Sequence, residues 1–143
     1  MSKSVSSRMP RKSLILIDGD QIVYKVCAAA EYEVERDDCR TVMLQSDKLE
    51  CLASVKSVIA ELSRRFTESI ICFTSNPNFR HDVYPDYKGG RVKTRKPLAY
   101  WKVVDALIDD EDYNTKKIPG LEADDVMSII ATNPKYTSKF DIT

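Results

Sequence analysis

The sequence predicts an α/β domain: three layers around a mainly parallel sheet. Three observations carry that expectation. Short continuous apolar runs, Leu14-Ile15-Leu16-Ile17 and Ser69 to Thr74, read as strands buried on both faces, as parallel strands do. Between and after them, apolar residues recur every three or four positions, the spacing of helices packed on a sheet. The length, 143 residues, holds one core and leaves no room for a second full domain. Right-handed crossovers would join the strands, and ligands would collect at their carboxyl ends.

The first run ends abruptly at Asp18-Gly19-Asp20, and Gln21 to Ala30 follows as a helix with Ile22, Val23, Val26 and Ala30 on its apolar side. Glu31 to Asp38 is acidic and reads as irregular, and Thr41 to Leu44 as a short edge strand. Ser46 can cap the next helix, with Asp47 favourable in its first turn. There Leu49, Leu52, Val55, Ile59, Leu62 and Phe66 keep helical spacing. After the second strand, Ser75 to about Tyr87 is a loop. Lys96 to Ile108 places Leu98, Trp101, Val104 and Leu107 at helical intervals, with Pro97 tolerable only near the start. Trp101 reads as core in preference to a base platform. Lys117-Ile118-Pro119 reads as a third short strand, Leu121 to Thr132 as a helix opened by acids, and Phe140 to Thr143 as a final strand at or near a sheet edge.

The composition, 43% hydrophobic and 31% charged, is that of a globular domain. No apolar run approaches the roughly 18 residues of a membrane span. The N-terminus is polar and basic with no signal-peptide core, so residues 1–12 are expected as a flexible basic tail and the location as cytoplasmic. Cys27, Cys39, Cys51 and Cys72 form no CxxC pair, and His81 is the single histidine, which supports reduced thiols over zinc.

The formal charge is zero, which excludes a wholesale polycation. Locally it is far from even. Arg80 to Lys102 holds seven basic residues against two acids, and Val103 to Asp125 eight acids against two lysines. Either block alone reads as a solvated face. Side by side they suit a nuclease, in which basic groups hold phosphates and acids hold divalent cations.

Asp18 and Asp20 flank a glycine at a strand end, which is also an ordinary turn. Glu122, Asp124 and Asp125 open a helix, where the dipole alone favours acids. Their density is the further signal, because three carboxylates in four residues repel each other unless a cation intervenes. On a helix, Glu122 and Asp125 lie about 60° apart around the axis and Asp124 about 100° from Asp125. All can face one end of the sheet and converge with Asp18. Two Mg²⁺ ions ~3.5–4 Å apart would then activate a water and stabilise a leaving oxygen. The segment Tyr84-Pro85-Asp86-Tyr87-Lys88-Gly89-Gly90-Arg91, continuing to Lys93, Arg95 and Lys96, interleaves rings and cations as single-stranded nucleic acid requires. It also reads as a mobile loop hinged at the glycines.

Taken together, three elements resemble the 5′→3′ exonuclease and flap endonuclease family, in particular its phage-type members. They are Leu-Ile-Asp18-Gly19-Asp20 with Tyr24, then Asn78-Phe79-Arg80 and Tyr84 to Arg91, then Gly120-Leu121-Glu122-Ala123-Asp124-Asp125-Val126. The resemblance spans about residues 13–143. It implies a PIN-like nuclease domain with a basic arch over about 84–112, acting on DNA with a free 5′ end. It implies that Asp18, Glu122, Asp124 and Asp125 hold Mg²⁺ or Mn²⁺, directly or through water. Lys88 and Arg91 would be the catalytic cations at the scissile phosphate. Tyr87 would stack on a base, and Arg80, Lys93, Arg95 and Lys96 would contact DNA with them.

Two departures stand out. Where the family has an aspartate at the end of the second strand, this chain has Ser75; Asp82 follows seven residues later. The family also continues past the last strand into an Asp-x-Asp pair and a helical duplex-binding module. The two-metal site is therefore expected to be incomplete, and the chain to be truncated or the N-terminal half of a split enzyme, completed by a separately encoded C-terminal half. If phage-encoded, it would work in the host cytoplasm. Two rival expectations are a non-catalytic DNA-binding remnant and a small PIN-type ribonuclease.

Overall fold

The computed structural model describes residues 11–35, 42–75 and 96–143. The chain runs β1 (Lys12–Asp18), α1 (Gly19–Ala29), β2 (Tyr32–Glu35), β3 (Val42–Gln45), α2 (Lys48–Ser63) and β4 (Glu68–Cys72). It continues through α3 (Tyr100–Asp109), β5 (Thr115–Lys116), α4 (Ala123–Thr132), α5 (Pro134–Thr137) and β6 (Phe140–Ile142). The main sheet has the order β5-β4-β1-β6, and every neighbouring pair is parallel. β2 and β3 form a separate antiparallel ribbon. The expected three-layer parallel architecture is thus the observed one.

The sheet's alternation explains the layers. Side chains on a strand point to opposite faces in turn. Ile17, Ile71 and Phe73 turn to the face covered by α1, α2 and α3, where they meet Val23, Val55, Val103 and Leu107. Leu14, Ile70 and Cys72 turn to the other face, covered by Ala123, Val126 and Ile130 of α4. Each fully buried aliphatic side chain contributes about 1.5–3 kcal/mol. The first face, with the larger set, carries most of the core.

Several elements differ from the sequence-based expectation for physical reasons. Asp47, not Ser46, is the N-cap of α2. Its carboxylate accepts from the amides of Leu49 (2.9 Å) and Glu50 (3.3 Å), while the Ser46 hydroxyl lies 3.3 Å from the Cys51 sulfur. Cys51, Val55 and Ile59 form the inner stripe of α2, and Leu49 and Leu62, near its ends, are exposed. The acidic stretch after α1 pairs as β2 with β3, so that strand belongs to the ribbon and not to the edge of the main sheet. β5 comes just before the expected Lys117–Pro119, because Ile71 and Phe73 donate to the carbonyls of Asn114 and Lys116.

Gly120 then reverses the chain at φ +84, a conformation that L side chains rarely adopt. Arg11 and Lys12 are part of the folded domain and not of a tail. Lys12 opens β1, and Arg11 pairs with Asp141 at 3.0 Å and donates to the Phe140 carbonyl at 2.7 Å and to that of Thr137. β6 lies at the sheet edge, as its position in the chain suggests, with Thr143 exchanging backbone hydrogen bonds with Leu14 and Leu16.

α3 carries the clearest correction. Tyr100, Val103, Val104 and Leu107 are buried, and this phase turns Trp101 outward, 45% exposed, so Trp101 is not core. Residues 100–109, within the stretch of about 84–112 that the resemblance implies as a basic arch, form a helix that packs into the core. Among the described residues, no helix is long and apolar enough to cross a membrane. Cys27, Cys51 and Cys72 are free and buried.

Candidate metal and nucleic-acid site

Parallel strands deliver their carboxyl ends to one side of the sheet, and there the acidic groups collect. Asp18 closes β1, in register with Cys72 near the end of β4. Its carboxylate also caps α1, accepting from the Gln21 amide at 3.4 Å. Burial raises the Asp18 pKa above the ordinary carboxylate range, and the charges of Asp20 and Asp124 raise it further; backbone donors at Gln21 and Asp20 oppose the shift. Asp124 comes from the first turn of α4.

Gly19 lets the start of α1 sit close on the sheet. It packs so closely on β4 that a Cβ there would lie 2.5 Å from the Phe73 ring and 2.7 Å from the Ile71 side chain. Asp20, one residue on, is held from two sides. One carboxylate oxygen accepts from the Thr74 amide at 2.9 Å, the other from the Tyr100 hydroxyl at 3.0 Å. The Thr74 hydroxyl accepts in turn from the Ala123 amide at 3.0 Å, and the Ser75 amide donates to the Leu121 carbonyl at 2.9 Å. Four elements, α1, β4, α3 and α4, are thereby tied at one end of the sheet. Burial and the Asp20 charge push the Tyr100 hydroxyl pKa well above its usual value, so it stays a donor.

The four expected metal carboxylates are divided between two tasks. Glu122, 7% exposed, is the N-cap of α4 and forms a reciprocal capping box with Asp125, whose side chain accepts from the Glu122 amide at 3.1 Å. The charge of Asp124 is one of the influences that raise the Asp18 pKa. Among the described residues, no group of three or more His, Cys, Asp or Glu side chains is arranged to hold a metal ion. The expected convergence is therefore partial. The donor chemistry still fits a hard cation, since Mg²⁺ takes one or two carboxylates and keeps several waters. The like charges that disfavour ionised Asp18 are what such an ion would neutralise.

Arg80, Tyr87, Lys88, Arg91, Lys93 and Arg95, with His81 and Asp82, lie outside the described residues. Lys96 is described. Its ammonium sits 4.6 Å from the Tyr100 ring centroid and 5.8 Å from that of Tyr24. The C-terminal end of the basic segment is thus anchored beside the tyrosine that holds Asp20. The reading from sequence missed Tyr100 and Thr74 as site residues. Tyr100 had a signal, because it shares helical phase with Val103, Val104 and Leu107. Thr74 had only its place at a strand end.

Comparison with known proteins adds a second line. The family profile described as the 5′-3′ exonuclease, N-terminal resolvase-like domain matches residues 13–143. An exonuclease of Escherichia phage T7 is 29% identical over 133 residues, covering 86% of this chain and 43% of that protein. An exodeoxyribonuclease of Enterobacteria phage T3 is 29% identical over 133 residues, covering 86% and 42%. The thermostable DNA polymerase I of Thermus caldophilus is 25% identical over 133 residues, covering 88% of this chain and 15% of its own length. Among solved structures, the T5 D15 protein, co-crystallized with metal ions, superposes with a TM-score of 0.62 at 20% identity, covering 86% of this chain and 45% of that one. At that identity the likeness is one of fold. The chain spans less than half the length of these phage relatives.

Proposed function

The chain belongs to the family of 5′-3′ exonuclease N-terminal, resolvase-like domains, and from that premise we propose that it is the N-terminal half of a metal-dependent 5′→3′ nuclease acting on DNA with a free 5′ end. One observation carries the reading: the Thr74 amide donates to Asp20 and the Ala123 amide to the Thr74 hydroxyl, which brings the tip of β1 and the acidic opening turn of α4 together at the carboxyl end of a parallel sheet. Asp18 and Asp124 would hold Mg²⁺ or Mn²⁺ directly, with Glu122 and Asp125 contributing through water. The ion supplies Lewis-acid polarisation of the phosphodiester and a more acidic bound water.

The chain's own groups do the rest. Lys88 and Arg91 neutralise charge developing on the scissile phosphate. Arg80, Lys93, Arg95 and Lys96 hold backbone phosphates, and Tyr87 stacks on a base. The remaining donors for a second ion, and the surface that grips duplex DNA, would come from further polypeptide corresponding to the other half of the phage relatives. The test is release of nucleotides from 5′-labelled DNA by this chain mixed with that polypeptide. Release should require Mg²⁺ or Mn²⁺ and be abolished by Asp18→Asn or Asp124→Asn. Activity that survives both substitutions refutes the reading.

A second reading is favoured by one feature. Glu122 and Asp125 are occupied in capping α4, and the described residues draw together no three-ligand set. A DNA-binding protein without catalysis would keep such an arrangement. It predicts salt-sensitive DNA binding that is indifferent to divalent cations and to Asp18→Asn.

A further inference from the structure

Trp101 is the single tryptophan of the sequence and is 45% exposed on the outer face of α3. The helix phase keeps it there, because Tyr100, Val103, Val104 and Leu107 fix the opposite face in the core. Three residues earlier, Leu98 is 51% exposed. Tyr100 meets the indole edge to face, at 89° with centroids 4.9 Å apart, and among the described residues no ring lies flat upon it. Lys102 is the next residue and is exposed, and Lys96 is held over the Tyr100 ring. The surrounding segment, Arg80 to Lys102, is strongly basic. Further along the same helix come Asp105 and Asp109, both exposed.

Resting on the nuclease reading above, we propose that Trp101, with Leu98, is a stacking platform for one base of single-stranded DNA, and that Lys96 and Lys102 take the flanking phosphates. An aromatic face accepts any base without sequence preference, and neighbouring cations complement the phosphates on either side. The acids at positions 105 and 109 repel phosphate, so the strand crosses the N-terminal end of α3 instead of running along it. The charge pattern selects a polyanion over an apolar partner.

A single tryptophan makes the test direct. The full chain is titrated with single-stranded oligothymidylate in Ca²⁺, following both tryptophan fluorescence and the anisotropy of labelled DNA. The platform predicts quenching that saturates with the anisotropy. Trp101→Ala should weaken binding at least about fivefold, the lower end for loss of a base–aromatic stack. The slope of log Kd against log salt should stay unchanged, because no phosphate contact is lost. Trp101→Tyr should recover most of the affinity, and Lys102→Ala should reduce the salt slope.

DNA binding without quenching, and with unchanged affinity in Trp101→Ala, overturns the platform and leaves the nuclease reading intact. No DNA binding at low salt overturns both. Self-association that Trp101→Ala abolishes, with DNA affinity unchanged, assigns the patch to a second copy of the chain and also overturns the platform.

Discussion

Replacing Gly19 by alanine adds one methyl group, yet the structure predicts a clear loss of stability. The new Cβ would lie 2.5 and 2.8 Å from two atoms of the Phe73 ring and 2.7 Å from Ile71 Cγ2. Carbon atoms normally meet at about 3.5–4.0 Å, so each contact is about 1 Å too short. Phe73 is 0% exposed and Ile71 1%, so neither can swing into solvent. Overpacking of this kind costs about 1–3 kcal/mol. Alanine's better helix propensity returns at most about 1 kcal/mol, less at a first helical residue such as this one. The net loss is then about 1–2 kcal/mol, a fall in Tm of roughly 3–8 °C for a chain of this size. Urea and thermal unfolding followed by circular dichroism read it directly. A double-mutant cycle with Phe73→Leu isolates the clash, since the smaller side chain makes room. The pair should cost less than the sum of the singles by more than about 0.5 kcal/mol. A Gly19→Ala protein as stable as the parent, or strict additivity in the cycle, refutes the packing account.

Two further outcomes follow from hydrogen bonding and burial within the core. Tyr100→Phe removes the hydroxyl that donates to Asp20 and should cost about 1.5–3 kcal/mol, the range for a hydrogen bond to a charged group. Urea unfolding measures it, and a loss below about 0.5 kcal/mol would mean that the bond does not hold α3 to α1. Burial, with the neighbouring Cys51, raises the Cys27 thiol to about 12, and burial, with Asp18 and Asp20, raises Cys72 to about 11. Because the folded thiols bind protons more tightly than the unfolded value of 9.0, their contribution is complete below pH 9 and is lost as pH rises toward 11 and 12. Unfolding free energy should fall across that interval, and Cys72→Ala should flatten the decline. An unchanged alkaline limb in the variant would refute the assignment.

What the sequence disclosed, and what it withheld, follows from where each signal resides. β1 and β4 were legible because parallel strands buried on both faces leave unbroken apolar runs. α4 was legible because its acids, its preceding glycine and its apolar stripe agree. Trp101 falls in a stripe of exact threes with Leu98, Val104 and Leu107, which drifts around a helix of about 3.6 residues per turn, so the spacing misleads. Tyr100, Val103, Val104 and Leu107 define an inward stripe that leaves position 101 outside. The division of the acidic cluster was not legible. Whether Glu122 and Asp125 meet a cation or cap their own helix depends on backbone angles at one residue, and both uses favour the same residue types. The Asp20–Tyr100 bond joins positions far apart in the chain, for which no local pattern exists. The resemblance to exonucleases gave the family correctly, because its motifs occur together and in order.

The unequal thickness of the two layers has a mechanical consequence. Asp18 ends β1, an interior strand that both layers cover, whereas Asp124 rides on α4, which rests on the smaller of the two apolar clusters. Regions with few buried contacts open at lower free energy than the rest of a domain. Thermal breathing of α4 therefore changes the gap between the two carboxylates while leaving Asp18 in place. The Ala123 amide bound to the Thr74 hydroxyl, and the Ser75 amide bound to the Leu121 carbonyl, are the tethers that limit this travel. The acidic opening turn of α4 thus belongs to the more compliant half of the molecule, and two neighbouring residues, Thr74 and Ser75, fasten it to the sheet.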